Sequence, residues 1–161
     1  MSKPFLLVGI DGSPVSGPAL RYALDEAKTR GYVVHAMTCW SAELTAKHGT
    51  GVPSAASYED AVRVLNTVIH HVATSAAEVR LTVAQIDEGQ PGPLLVSSSR
   101  KAAALILGAP HRGLFARLAG HKAGDYCIRH ASVPVVLVPW EIDNLDENDI
   151  YRDLRMDSPT P

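Results

Sequence analysis

Three short segments of the sequence carry side chains that could recognise a charged ligand, and the first is Asp11-Gly12-Ser13. Asp11 follows an apolar run, and its carboxylate can accept hydrogen bonds from a sugar hydroxyl or an amino group. Gly12 and Ser13 can open a following helix with unpaired backbone N–H groups, which attract anions. The alternative is that Asp11 and Ser13 only end a strand and cap a helix.

The second segment is Thr38-Cys39-Trp40, and the third is a basic loop that follows Gly108. Gly113 and Gly120 divide this loop, and a helix is expected to begin near Gly120. Its basic and imidazole side chains are His111, Arg112, Arg117, His121 and Lys122. Helix amides and positive charge at one place suit a phosphate or another anion. The loop is not a Walker A loop, because the Lys-Ser/Thr pair after the second Gly is missing.

No catalytic set can be assigned from the sequence. A Gly-x-Ser-x-Gly elbow is absent, and so is any Cys-x-x-Cys or Cys/His ligand spacing. The residues therefore indicate binding rather than chemistry, and no metal site.

The segments that must position these side chains alternate between strand and helix patterns. Short apolar runs predict five strands, Phe5–Ile10, Tyr32–Trp40, Val79–Ile86, Ala102–Leu107 and Pro134–Val138. Helical periodicity predicts four helices between them: one with its apolar stripe on Ala19–Ala27 that stops at Gly31, Tyr58–Ala73, one that opens at Pro91, and Gly120–His130. This alternation implies an α/β fold, a Rossmann-like, doubly wound, five-stranded parallel sheet with helices on both faces. Ligands bind such sheets beyond the carboxyl ends of the strands, where all three segments are expected.

Length and charge predict a single domain followed by an acidic tail. The chain has 161 residues and a formal net charge of −2. Residues 139–161 hold seven acids against two arginines, a charge of −5, which leaves +3 on the remainder. We expect a domain over 1–139 and a tail over 140–161 that is mobile or docks on a partner. The near-neutral total argues against a nucleic-acid partner, which would require a basic excess.

Cysteine usage and hydropathy predict a cytoplasmic protein. Cys39 and Cys127 lie far apart within apolar runs, which favours two buried thiols in a reducing compartment over a disulfide. No run approaches the ~18 consecutive apolar residues of a membrane span, and the apolar start of the chain is too short for a signal peptide.

Taken together, these segments resemble the universal stress protein family. The matching residues are Val8-Gly9-Ile10-Asp11-Gly12-Ser13, Glu88-Gly89-Gln90-Pro91, Leu105-Ile106-Leu107-Gly108, and Arg129-His130-Ala131 through Pro134-Val135-Val136-Leu137-Val138. The likeness covers about residues 3–139 in unbroken order. It implies an adenine nucleotide alpha hydrolase-like fold, a homodimer, and membership of either a nucleotide-binding or a non-binding group.

In ATP-binding members, the loop after the fourth strand reads Gly, two residues, Gly, nine residues, Gly, then Ser or Thr. Gly108 and Gly120 match, but His111 stands for the second Gly, His121 stands for Ser/Thr, and the loop is one residue short. At the other end, the resemblance makes Asp11 the adenosine-binding acid and places Thr38 near adenine. The residues expected to contact adenosine thus match the family pattern, whereas those expected to contact the phosphates differ from it.

Two interpretations stay open. In the first, the protein is a stress-response module that binds ATP or AMP as a sensor or regulator, with at most slow ATP hydrolysis, and His111, Arg112 and His121 replace the lost phosphate contacts. In the second, it is a regulatory interaction protein that binds no nucleotide, and these side chains fill the phosphate space. Both imply an unidentified downstream protein partner.

The last strand predicts how two copies would associate. In the order expected for this fold, Pro134–Val138 lies at an edge of the sheet and is too apolar to remain unpaired in water. We expect a homodimer formed by pairing two such strands.

Overall fold

A computed structural model describes residues 3–42, 55–109 and 122–139 of the chain. Its strands are β1 (Phe5–Gly9), β2 (Val33–Trp40), β3 (Thr82–Glu88), β4 (Ala104–Ala109) and β5 (Val135–Pro139). Its principal helices are α1 (Ser16–Arg30), α2 (Tyr58–Val72), α3 (Ala76–Leu81), α4 (Pro91–Ser99) and α5 (Lys122–His130). The five strands form one parallel sheet in the order β3-β2-β1-β4-β5. The predicted α/β fold class is confirmed, and β5 lies at an edge as expected.

Helices cover both faces of the sheet, as a doubly wound fold requires. On one face α1 and α2 pack against alternate residues of the strands, among them Val8, Val34 and Ile106. On the other face α4 and α5 contribute Leu95 and Cys127 to a second core cluster. The predicted stripe of α1 is fully buried, and Gly31 ends this helix in the left-handed region at φ 71°.

The third strand begins three residues later than predicted, because Val79–Leu81 belong to the short helix α3. Ser75 caps this helix, since its side chain accepts a hydrogen bond from the backbone N–H of Glu78 at 3.2 Å. A Ser followed three residues later by Glu is a helix-start pattern, and here it overrides the apolar alternation that suggested a strand.

The fourth strand is also displaced, and Gly108 lies inside it rather than after it. The segment before it turns tightly, with the N–H of Ala102 donating to the carbonyl of Ser99 at 2.8 Å. The strand then pairs with β1 from Ala104 to Ile106 and with β5 from Leu105 to Ala109. The fifth strand likewise starts at Val135, one residue after the predicted start.

An ion-pair cluster joins α1 to α3 at the amino-terminal edge of the sheet. The carboxylate of Glu78 is buried and accepts hydrogen bonds from Nη2 of Arg21 and Nζ of Lys28, both at 2.8 Å. The backbone N–H of Thr74 donates to its other oxygen at 2.9 Å. The hydrogen bonds from Arg21, then those from Lys28, lower the pKa of Glu78 to about 2.

Within the part of the chain that the structure describes, no helix is long and apolar enough to cross a bilayer.

Candidate functional site

The strand order places a crevice between the carboxyl ends of β1 and β4. From β1 the chain crosses to β2 on one side, whereas β4 continues to β5 on the other. The two connections therefore lead to opposite sides of the β1–β4 pair, so that the strand order reverses between the carboxyl ends of β1 and β4. This is the position where open parallel sheets bind ligands.

Asp11 lies at this crevice and is held by the loop that enters α1. Its Oδ1 accepts hydrogen bonds from the backbone N–H and the hydroxyl of Ser13, at 2.9 and 2.5 Å, and from the hydroxyl of Ser16 at 2.8 Å. The backbone N–H of Asp11 in turn donates to Oγ of Ser16 at 3.2 Å. Among the described residues none donates to Oδ2, and Asp11 is exposed. The loop thus fixes the carboxylate through one oxygen and presents the other.

The alternative that Asp11 and Ser13 merely cap α1 does not match the geometry. The N-cap residue is Val15, and no side chain caps this helix. Gly12 adopts φ 77°, which lets the backbone turn back so that Oδ1 of Asp11 reaches the N–H of Ser13. The hydrogen bonds of Asp11 stabilise the turn before the helix and join it to the Ser16 hydroxyl, but none of them caps a backbone N–H of the helix.

Gly108 brings β4 against this same turn. A Cβ atom at Gly108 would lie 2.4 Å from the carbonyl oxygen of Val15 and 2.6 Å from its Cβ. Only glycine permits that approach, so the absence of a side chain at Gly108 sets the spacing between β4 and the start of α1. The sequence placed Gly108 directly after the fourth strand, whereas in the structure it lies inside β4 and makes a packing contact with Val15.

Thr38 lies on β2, on the opposite side of β1 from β4. It is 2% exposed, and its hydroxyl has no hydrogen-bond partner among the described residues. Trp40 ends the strand two residues later. The structure therefore brings Asp11, Gly12, Ser13, Thr38 and Gly108 to the carboxyl edge of three adjacent strands.

The remaining predicted site residues, His111, Arg112, Gly113, Gly120 and His121, lie outside the described residues. So does the predicted tail, residues 140–161.

Ser16 is the residue of this site that the sequence analysis missed. It is 2% exposed and joins the Asp11 carboxylate to the first turn of α1. The spacing Asp11, Ser13, Ser16 after an apolar strand is the signal that could have indicated it, because short hydroxyl side chains at these distances fold back onto a preceding carboxylate.

The two cysteines do not supply a nucleophile. Burial, and secondarily the nearby Asp87 carboxylate, raise the pKa of Cys39 to about 12. Burial alone raises the pKa of Cys127 to about 11. Both are free thiols that stay protonated at neutral pH. Over residues 3–42, 55–109 and 122–139, no group of three His, Cys, Asp or Glu side chains could hold a metal ion.

Comparison with known proteins places this arrangement in a family. The model of the universal stress protein family matches residues 6–139. Two universal stress proteins of Mycobacterium tuberculosis H37Rv are 26% and 28% identical over 152 and 132 residues. These matches cover 84% and 82% of this chain, but 48% and 44% of the relatives. The chain thus spans about half the length of these curated relatives.

Solved structures agree on the fold. A universal stress protein in complex with cAMP matches with a TM-score of 0.57 and 17% identity, over 86% of this chain and 98% of the other. One from Archaeoglobus fulgidus in complex with dAMP gives 0.59 and 17%, over 85% and 98%. A further A. fulgidus structure gives 0.61 and 20%, over 84% and 93%. With the family model matching most of the chain, these similarities lead to one conclusion: the protein belongs to the universal stress protein family.

Proposed function

We propose that the protein is a stress-response module that binds an adenine nucleotide, ATP or AMP, at the crevice between β1 and β4. The observation that carries the proposal is the Asp11 carboxylate, which is fixed by three hydrogen bonds to Oδ1 and open at Oδ2. A pre-oriented acceptor loses little entropy when it binds a hydroxyl or amino group. Two related folds hold cAMP and dAMP, which supports the class of ligand.

Each part of the site takes one part of the nucleotide in this proposal. Oδ2 of Asp11 accepts a hydrogen bond from the ribose, and the turn at Gly12 and Ser13 holds that carboxylate in place. Thr38 lies beside the adenine base of the nucleotide. Gly108 lets β4 approach Val15 and so sets the spacing between β4 and the start of α1 beside the phosphates.

The phosphate end is assigned from the sequence. Gly113 and Gly120 shape the loop, Arg112 offsets phosphate charge, and His111 and His121 stand where the ATP-binding pattern has Gly and Ser/Thr. Imidazoles near phosphate bind it more strongly when protonated, so nucleotide affinity is expected to rise as the pH falls below neutrality.

Replacing Asp11 by Asn tests the assignment sharply. The Asn Oδ1 keeps an acceptor for Ser13 and Ser16, while the open Oδ2 acceptor becomes an NH2 donor. D11N is therefore expected to fold normally and to lose nucleotide affinity about tenfold or more, the effect of turning one charge-assisted hydrogen bond into a clash of donors. Affinity is measured by isothermal titration calorimetry, and folding by urea denaturation.

D25N is the matched control, because Asp25 is an exposed carboxylate on α1, the helix that follows the Asp11 turn. It should bind nucleotide as the natural protein does. Unchanged affinity in D11N would reject this site while leaving nucleotide binding itself intact.

A second candidate function is favoured by one observation, the two histidines in the phosphate loop. If His111 and His121 fill the phosphate space, the protein is a regulatory interaction module that binds no nucleotide. Substituting both by the pattern residues, His111→Gly with His121→Ser, would then create nucleotide binding where the natural protein shows none.

We further propose that the protein acts as a homodimer through β5 in the cytoplasm, where both thiols stay reduced. The strand is apolar and lies at the sheet edge, and its Leu137 is 39% exposed. An unpaired apolar edge invites pairing with a second copy.

A further inference from the structure

The amino-terminal edge of the sheet carries a row of exposed basic side chains. One row of paired residues crosses the starts of four strands: Thr82 of β3, Val34 of β2, Leu6 of β1 and Ala104 of β4. Just outside this row, the chain enters three of these strands through exposed cations. We call these four side chains the basic rim: Lys3, Arg80, Arg100 and Lys101.

The charge of the basic rim is not balanced by acids around it. No described residue forms an ion pair with any of its four side chains. The segments that lead into the five strands contain no Asp or Glu: residues 3–4, 31–32, 80–81, 100–103 and 131–134. The nearby acid Glu78 is buried and already bound by Arg21 and Lys28. The basic rim therefore presents uncompensated positive charge to solvent.

Helix dipoles explain only part of this placement. Arg80 lies in the last turn of α3 and Arg100 follows α4, and a cation is favourable at the negative end of a helix. Such an end carries about half an elementary charge, so each of these cations leaves positive charge in excess. Lys3 precedes the first strand and lies at no helix end. The basic rim therefore retains charge that can attract a ligand.

The carboxyl edge of the sheet has the opposite charge among its described residues. Asp11 follows β1, and Asp87 and Glu88 end β3. Pro139, the last described residue, ends β5 at this edge. The tail beyond it, residues 140–161, holds seven acids and two arginines, a charge of −5. The tail therefore leaves the sheet at the edge where these acids lie and is attracted towards the edge with the basic rim.

The tail is long enough to reach the basic rim. From Pro139 back to Val135, β5 spans four residue steps, about 13 Å at ~3.3 Å each. Crossing from β5 to β3 takes four strand spacings, about 19 Å at ~4.8 Å each. A path of about 32 Å needs roughly ten residues of extended chain. Asp146, Glu147 and Asp149 lie seven, eight and ten residues beyond Pro139, so their carboxylates can reach the basic rim.

We propose that the basic rim binds the acidic tail of the same chain, through ion pairs between tail carboxylates and the ammonium and guanidinium groups of the rim. Because the tail is tethered to β5, its effective concentration at the rim is high, and several weak ion pairs add to one contact. The proposal does not rest on nucleotide binding, since the basic rim lies at the edge of the sheet opposite to Asp11.

Carbodiimide cross-linking of the full chain tests the contact, because this reagent joins a lysine to a carboxylate only where the two touch. At about 0.1 M salt we expect links from Lys3 and Lys101 to tail acids, identified by mass spectrometry of the digested protein. On a denaturing gel, links within one chain stay at 17.2 kDa, whereas links between chains double the mass. The exposed pair of Lys28 and Asp25, 3.2 Å apart on α1, supplies the internal standard.

R100E reverses one charge of the basic rim without removing a reactive lysine. Arg100 is exposed and pairs with no described residue, so the variant is expected to fold normally. The yield of tail links to Lys101 should fall about threefold or more relative to the internal standard. R63E is the matched control, because it makes the same change of charge on α2, outside the basic rim. It should leave the yield of tail links unchanged.

Salt provides a second measurement on the natural protein. At about 1 M salt the screening length falls to ~3 Å, so tail links should be lost while the internal standard persists. Absence of tail links at Lys3 and Lys101, with the standard formed, would overturn the proposal. Equal yields in R100E and the natural protein would also overturn it. Tail links found only at the doubled mass would assign the tail to another copy and reject binding within one chain.

Discussion

At the scale of single residues, the two oxygens of Asp11 have different surroundings. Oδ1 accepts hydrogen bonds from Ser13 and Ser16, whereas Oδ2 accepts none from the described residues. The sequence predicted that this carboxylate belongs to the site, because an acidic residue directly after a buried strand is a recognisable pattern. The sequence could not predict the packing of Val15 against Gly108, because that contact joins residues distant in sequence and depends on how α1 meets β4.

The contact at Gly108 predicts a cost for adding a single methyl group. In Gly108→Ala, the new Cβ would lie 2.4 Å from the carbonyl oxygen of Val15, so the turn or the strand must shift. We expect a loss of about 1–3 kcal/mol in the free energy of unfolding, measured by urea denaturation.

Gly124→Ala is the matched control, because outside its own helix no described residue lies within 4 Å of the Cβ position at this glycine. It should leave stability unchanged or raise it by up to about 1 kcal/mol, since alanine favours helix. Equal stability of the two variants would show that the β4 approach to Val15 is not tight.

At the scale of elements, apolar patterns located every strand of the sheet and misplaced the starts of four of them by one to three residues. The predicted start of the third strand at Val79 was wrong, because the capping pattern of Ser75 and Glu78 places Val79 in the helix α3. Boundaries of this kind depend on local capping and turn hydrogen bonds, which compete with alternation over a few residues. The buried stripe of α1 was predictable because its five small or apolar residues follow helical spacing and do not also fit the alternation of a strand.

The cluster around Glu78 predicts how stability depends on pH. The folded pKa of Glu78 is about 2, below its ordinary value of 4.5, so the folded state favours the charged form. The resulting stabilisation is present above the ordinary pKa and is lost as the pH falls from about 5 to about 2. E78Q should lower the free energy of unfolding at pH 7 by about 1–3 kcal/mol, a range reduced because Arg21 and Lys28 are partly exposed.

The difference between E78Q and the natural protein should shrink as the pH is lowered through this window, as measured by urea denaturation at each pH. E26Q removes an exposed pair with Arg30 on the same helix and serves as the control, with little change at any pH. A constant difference between E78Q and the natural protein down to pH 2 would contradict the depressed pKa.

At the scale of the whole molecule, the sheet has two edges, β3 and β5. The sequence predicted the edge position of β5 through the order expected for this fold, and the structure has that order. Hydrophobic periodicity could not show which edge strand would pair with a second copy, because both strands carry exposed apolar side chains, Val83 at 45% and Leu137 at 39%. The proposed dimer uses β5, whose exposed segment is continuously apolar.

Charge placed at each edge tests the proposed dimer. A lysine on an exposed edge strand opposes pairing. L137K should shift the protein from a dimer to the 17.2 kDa monomer in sedimentation velocity at micromolar concentration, whereas V83K should stay dimeric. A monomeric natural protein would contradict dimerisation, and dissociation of V83K alone would assign the interface to β3.

The most direct test of the central claim, nucleotide binding at the Asp11 crevice, is calorimetric titration of the natural protein with ATP, ADP, AMP and cyclic AMP. The predicted result is binding heat that saturates at one site per chain for ATP or AMP, with an affinity that D11N lowers about tenfold or more. Absence of heat for all four nucleotides at millimolar concentration would contradict the account.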